Sequence, residues 1–146
     1  MIVLADGVLT ALRMHAEKAY PEECCGILLG TLQDDTRLVI EARALDNTSP
    51  EPRRRRYWIG PEEYRAAESA ANSRGWQLLG FYHSHPDHPA RPSAYDLAHA
   101  LPWHSYVILG VEGGRAGEWT AWVLAADRSR FEPEAQREEA RWRIEC

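Results

Sequence analysis

Apolar positions recur along this chain at two spacings, and each spacing marks a kind of element. Val8, Leu12, His15 and Ala19 fall on one side of a helix predicted over residues 7–19, with Asp6 as its N-cap and Tyr20-Pro21 as its stop. The run CCGILLG, residues 24–30, then reads as a buried strand. A polar turn at Gln33-Asp34-Asp35 leads into a second strand from Arg37 to Ala44, which together make a hairpin signal. From Asp46 to Arg56 the segment DNTSPEPRRRR is a turn-rich, charged loop, and Tyr57-Trp58-Ile59 reads as a short strand after it. Gly60-Pro61-Glu62-Glu63 opens a second helix, with proline in the first turn and two acids at the positive end of its dipole. It runs to Ser73 and closes near Gly75.

WQLLGFY, Trp76 to Tyr82, is the candidate central strand, and it feeds directly into HSHPDHPARPSAYD. Ser93 is placed to cap a helix containing Tyr95, Asp96, Leu97 and Leu101, stopped by Pro102. Ser105–Val111 and Glu118–Ala126 read as two further strands around the turn Glu112-Gly113-Gly114. The charged tail, residues 131–146, fits either a surface helix from Pro133 or a short strand. Helices and strands intermixed in this way predict an α/β, mixed α+β chain built on one sheet.

Composition narrows the class. The 146 residues are enough for a single domain, predicted over residues 1–146, and 45% hydrophobic with 27% charged residues is the ordinary globular range. The apolar runs are too short to span a bilayer, and MIVLADGV lacks the basic and long apolar regions of a signal peptide, so a cytoplasmic protein without membrane contact is expected. A net charge of -5 argues against a general nucleic-acid binder. Cys24 and Cys25 lie in an apolar stretch, Cys146 lies apart, and there is no CxxC pair. Reduced, packed cysteines are therefore expected, not a thiolate metal site.

His83 and His85 stand at i and i+2, so on an extended strand their rings share one face. Asp96 follows eleven residues later, across a proline-rich return. An isolated H-x-H is equally compatible with polar turn residues. Two imidazoles and one carboxylate, however, match a three-ligand zinc site with its fourth position open, which is the catalytic arrangement. Hydrolysis at such a site also needs a carboxylate to carry protons.

The pattern His-Ser-His, seven residues, Ser, two residues, Asp resembles the JAMM (MPN+) zinc metallopeptidases, from His83 through Ser93 to Asp96 without a gap. Their upstream P-x-E-x-C-G context is matched by Pro21-Glu22-Glu23-Cys24-Cys25-Gly26, so the resemblance spans about Tyr20 to Val111. It implies a cytidine-deaminase-like fold, a curved mixed β-sheet flanked by helices. It further implies one Zn2+ held by His83, His85 and Asp96, with Glu23 as general acid/base. Ser93 would support the oxyanion, and reads equally as a helix N-cap. Compact stand-alone members of this kind are bacterial or archaeal in style, and the implied partner is a ubiquitin-like or sulfur-carrier protein, cut at its C-terminal tail.

Neighbouring residues have competing readings. Glu22 adjoins Glu23, but alternation lets only one of them face the metal. Ser84 should face away from the histidines. His88 reads as a loop or cleft residue, and His15, His99 and His104 have weaker claims. The run Arg53–Arg56 reads as a solvated loop or, with Arg91, as a patch that steers an acidic tail. Trp103 could rim a peptide cleft, the other tryptophans filling core or sheet faces. A non-catalytic MPN-type scaffold is the alternative function, and a zinc deaminase is disfavoured by the missing P-C-x-x-C. Oligomeric state is not readable from this pattern.

Overall fold

The computed structural model describes residues 1–47 and 59–139. In chain order the elements are β1 (Ile2–Leu4), α1 (Val8–Ala19), β2 (Cys25–Gln33), β3 (Thr36–Leu45), α2 (Pro61–Ser73) and β4 (Gln77–Pro86). They are followed by α3 (Ala94–His99), β5 (Ser105–Glu112), β6 (Arg115–Leu124), β7 (Phe131–Pro133) and β8 (Gln136–Glu138). The strands form one mixed sheet in the order β7-β6-β5-β4-β2-β3-β1-β8. No described helix is long and apolar enough to cross a membrane.

Alternation in the central strands builds a core on each face. Leu28, Leu79 and Tyr82 point to the side where Leu12 of α1 packs, while Ile27, Leu29 and Phe81 point to the side of Ala67 and Ala71 in α2. Each fully buried leucine contributes about 1.5–3 kcal/mol by leaving water. The register of β2 against β4 shifts between Leu28 and Leu29, where Leu28 pairs with Gly80 and Leu29 with Leu78, leaving Leu79 as the extra residue of a bulge. The bulge sets which face the later residues of β4 take. Gly80 is required here, because a Cβ at that position would overlap the Ser105 carbonyl of β5.

The sheet is curved as expected, and the chain itself shows why. β7 and β8 lie two residues apart in sequence yet occupy opposite ends of the strand order. Glu134 N–H donates to Ala121 O at 2.8 Å, and Ala135 O accepts from Ile2 N–H at 2.9 Å, so the short bridge ties one end of the sheet to the other. The open edge of β6 is covered by α1: Arg13 donates to Gly117 O at 2.9 Å, and Glu17 accepts from Ala116 N–H at 2.9 Å. Such side chains block pairing with another chain.

Several expectations are corrected. The N-cap of α1 is Gly7, not Asp6, and a glycine brings no side-chain cap. The turn out of β1 demands φ 86° at that position, which glycine adopts at little cost. α3 ends at His99 and leaves Leu101 outside, 39% exposed, with its N–H donating to the Tyr106 hydroxyl. A residue before proline is driven out of the helical region, and Leu101 precedes Pro102. β6 begins at Arg115 instead of Glu118, and β4 runs on through both histidines to Pro86. Of the two readings of the tail, the described part takes the strand form, and Ile2–Leu4 adds a strand that was not expected. Tyr57, Trp58, the run Arg53–Arg56 and Cys146 lie outside the described residues.

Candidate metal and catalytic centre

β4 pairs with β2 in antiparallel fashion and with β5 in parallel fashion. A parallel pair needs a long crossover, and residues 87–104 supply it, carrying α3 past the C-terminal end of β4. This crossover brings Asp96 to the histidines. His83 and His85 continue the face of Phe81, whereas Ser84 turns to the opposite face and its Oγ accepts from Cys24 N–H at 2.8 Å. The expected orientation of Ser84 is thus seen, and the contact fixes the segment that carries Glu23.

Ser93 and Asp96 form a capping box at the start of α3. Asp96 N–H donates to Ser93 Oγ at 3.1 Å, and Ser93 N–H donates to Asp96 Oδ2 at 2.8 Å. That exchange locks the carboxylate with Oδ2 3.2 Å from the Nε2 atoms of both His83 and His85, which are themselves 3.1 Å apart. All three residues are buried, with exposures of 0%, 1% and 5%.

The partners of each ring nitrogen fix the tautomer. His85 Nδ1 lies 2.8 Å from Pro89 O. A carbonyl only accepts, so in the neutral ring Nδ1 holds the hydrogen and Nε2 presents a lone pair to Asp96 Oδ2. Lone pairs facing each other in a dry site repel unless a cation joins them. Burial opposes the charged form of Asp96, but the adjacent His83 ring and the Ser93 N–H that donates to Oδ2 hold its carboxyl well below the usual range. Donors bound at about 2.0–2.1 Å around a tetrahedral ion stand about 3.3 Å apart. The three separations here, 3.1, 3.2 and 3.2 Å, fit a divalent metal of that size.

Glu23 completes the cluster from β2's side. Its carboxylate and one ring nitrogen of each histidine lie within 4.8 Å of one another, and it is 3% exposed, whereas Glu22 faces solvent. The pairing of Cys25 with His83 brings the two segments together. The chain matches the family model described as prokaryotic homologs of the JAB domain over residues 5–125. It belongs to this JAMM/MPN family.

The JAB domain is 38% identical over 117 residues to a protein of Haloferax volcanii named Desampylase, covering 79% of this chain and 82% of that one. It is 36% identical over 116 residues to a Thermus thermophilus protein named Probable TtuB-protein conjugate cleaving protease, covering 80% and 74%. A solution structure of a Salinibacter ruber protein is 45% identical with a TM-score of 0.73, covering 93% of this chain and 90% of that one.

Two clefts flank the centre of this JAB domain. One of about 490 Å³ is lined by His15, Glu22, Glu23, Asp46 and Asn47; the other, about 750 Å³, runs from His88 and Pro89 to Gly110 and Gly117. His88 is more than a loop residue, since its ring stacks on His85 at 4.1 Å between centroids, and the ring is exposed. The Pro89 carbonyl and Asn47, which donates to Glu23 O at 3.1 Å, carried no signal in the sequence. His15 and Tyr82 share a hydrogen bond of 2.8 Å, His104 packs against Tyr64 and Phe81, and His99 stacks on Tyr95; none joins the cluster. Burial pushes the Cys24 and Cys25 thiols up to about 11 and about 12, which leaves them as packing groups at neutral pH.

Proposed function

We propose that this chain is a zinc-dependent metallopeptidase, or isopeptidase, that hydrolyses an amide bond at the C-terminal tail of a ubiquitin-like or sulfur-carrier protein. The observation that carries this reading is the convergence of His83, His85 and Asp96 within 3.1–3.2 Å of one another, with buried Glu23 beside them. These three residues would hold one zinc ion, and the donor spacing supports that choice. When bound, zinc supplies a Lewis acid and lowers the pKa of water at the site.

The remaining work belongs to the protein. Glu23 takes a proton from the attacking water and delivers it to the leaving nitrogen, so the C–N bond breaks to give a carboxyl group and a free amine. Burial keeps bulk water from competing for that proton. Ser93 Oγ accepts from Asp96 N–H, which leaves its own hydrogen to donate to the carbonyl oxygen as negative charge develops there. Capping and oxyanion support are thereby compatible in one hydroxyl.

The names of the Haloferax and Thermus relatives support conjugates of small protein modifiers as the substrate class. Exposed Arg91, two residues before Ser93, is consistent with steering an acidic tail toward the site. Continuity of the described strands in one sheet supports a single catalytic domain.

The test is zinc content, together with cleavage of a ubiquitin-like protein joined through its C-terminal carboxyl to a lysine side chain. Glu23→Gln should keep its zinc and lose at least about 100-fold in kcat, the scale of general acid/base work. His83→Ala should lose both together. Full activity in Glu23→Gln would overturn the mechanism, and absence of zinc from the parent protein would overturn the metal.

A further inference from the structure

Glu23 lies outside regular structure, since α1 ends at Ala19 and β2 begins at Cys25. Something other than a helix or strand ladder must therefore set how far its carboxylate reaches. On its C-terminal side the answer is Ser84, which lies between the two histidines: Cys24 N–H donates to Ser84 Oγ at 2.8 Å, and Ser84 N–H donates to Cys24 O at 3.2 Å. On its N-terminal side, Tyr20 donates its hydroxyl hydrogen to Asp87 Oδ2 at 2.6 Å. Tyr20 is three residues ahead of Glu23, and Asp87 is two residues beyond His85.

Asp87 is itself held firmly. Its N–H donates to Val111 O at 2.6 Å, its Oδ1 accepts from Gly113 N–H at 2.8 Å, and its φ is 58°. An L-residue in the left-handed region is uncommon, and aspartate is among the few that tolerate it. The carboxylate is thereby anchored to the end of β5 and to the turn before β6, and offers Tyr20 a fixed acceptor. Hydrogen bonds to an ionised acceptor are shorter and stronger than neutral ones, as this distance is.

We propose that Tyr20 and Asp87 form a clasp that holds the Glu23 segment at working distance from the metal ligands, which makes Tyr20 a positioning residue for proton transfer. The proposal rests on the reading of Glu23 as the proton carrier. The clasp joins the two segments that must be in register, one bearing the carboxylate and one bearing His85, across 67 residues of sequence. Proton transfer tolerates little misplacement, so a loosened clasp acts on turnover. Zinc affinity is set by the capping box and by β4, which the clasp leaves in place.

The test uses the full chain loaded with zinc, and compares the parent with Tyr20→Phe, Asp87→Ala and the double variant. Tyr20→Phe keeps the ring and removes only the donor. It should lower kcat about tenfold while KM and chelator-measured zinc affinity stay within about twofold, the scale of one charge-assisted hydrogen bond. Hydrogen exchange at the Cys24 amide should quicken. The double variant should be no slower than Asp87→Ala alone, because both changes remove the same interaction. Parental kcat in Tyr20→Phe, losses that multiply in the double variant, or zinc affinity falling in step with kcat would each overturn the clasp. If the parent cleaves no conjugate, the proposed function fails separately. The clasp is then decided by exchange at Cys24, where faster exchange at unchanged zinc affinity upholds it and unchanged exchange overturns it.

Discussion

Ser93 is the residue at which a structural role and a chemical one can be separated by measurement. Its side chain caps α3, a helix of only 6 residues, through the 3.1 Å bond from Asp96 N–H. Replacing a serine cap by alanine costs about 1 kcal/mol, roughly a five-fold change in folding equilibrium, while glycine costs only a few tenths. The loss of one hydrogen-bond donor to a developing oxyanion costs about 10²–10³ in kcat. Ser93→Gly and Ser93→Ala should therefore differ in stability but fall equally in turnover. The backbone N–H of residue 93, which holds Asp96 Oδ2 at 2.8 Å, survives in both, so zinc should stay bound. Urea unfolding gives the stability difference, chelator competition the zinc affinity, and conjugate cleavage the kcat. If Ser93→Gly turned over within about threefold of the parent, the donor role would be refuted and Ser93 would be a cap alone.

Chelating the metal should abolish cleavage yet leave the circular dichroism of the fold intact, because β4 is held by ladders on both sides; above Kd, zinc should raise Tm with the logarithm of its concentration over Kd. Gly80→Ala should destabilise by about 3 kcal/mol in chemical denaturation, since the clashing partner is the Ser105 backbone, which cannot rotate away. Burial lowers the pKa of His104 below 6.5, so its contribution to stability is complete above that value and is lost as pH falls below it toward the folded pKa. His104→Gln should flatten this acid-side decline in thermal unfolding between about pH 7 and pH 5.

How much of this was legible in the chain depends on the distance over which each residue acts. His83 and His85 needed only strand alternation, which operates between neighbours, and their shared face follows from it. Alternation also favoured one of Glu22 and Glu23, but the choice of Glu23 came from the family pattern. Its meeting with the histidines depends on the register of Cys25 with His83, which no local spacing encodes. Asp96 likewise depends on a crossover between parallel strands. The strands missed or left ambiguous, Ile2–Leu4, Phe131–Pro133 and Gln136–Glu138, have three residues each, too few to display a period. They exist because the curved sheet offers unpaired edges to bond with, which is a tertiary cause. His88 was left among loop or cleft readings because stacking on His85 depends on the turn at Asp87 that only the folded loop makes.

The separation of these parts has a mechanistic consequence. The residues proposed as metal ligands sit on β4 and on a capped turn of α3, two pieces tied together by the Asp96 carboxylate. Glu23 sits on a third segment, joined to the others through Ser84 and Asp87. In the proposed mechanism, metal binding and proton transfer are therefore carried by different connections of the same sheet. Damage to β4 or loss of the Asp96 carboxylate should remove metal and activity together, whereas damage to the Glu23 segment should leave a metal-loaded protein that turns over slowly. Replacing the glutamate by glutamine should leave in place the capping box that holds Asp96 and the strand pairs that hold His83 and His85, so the loss should fall on turnover first.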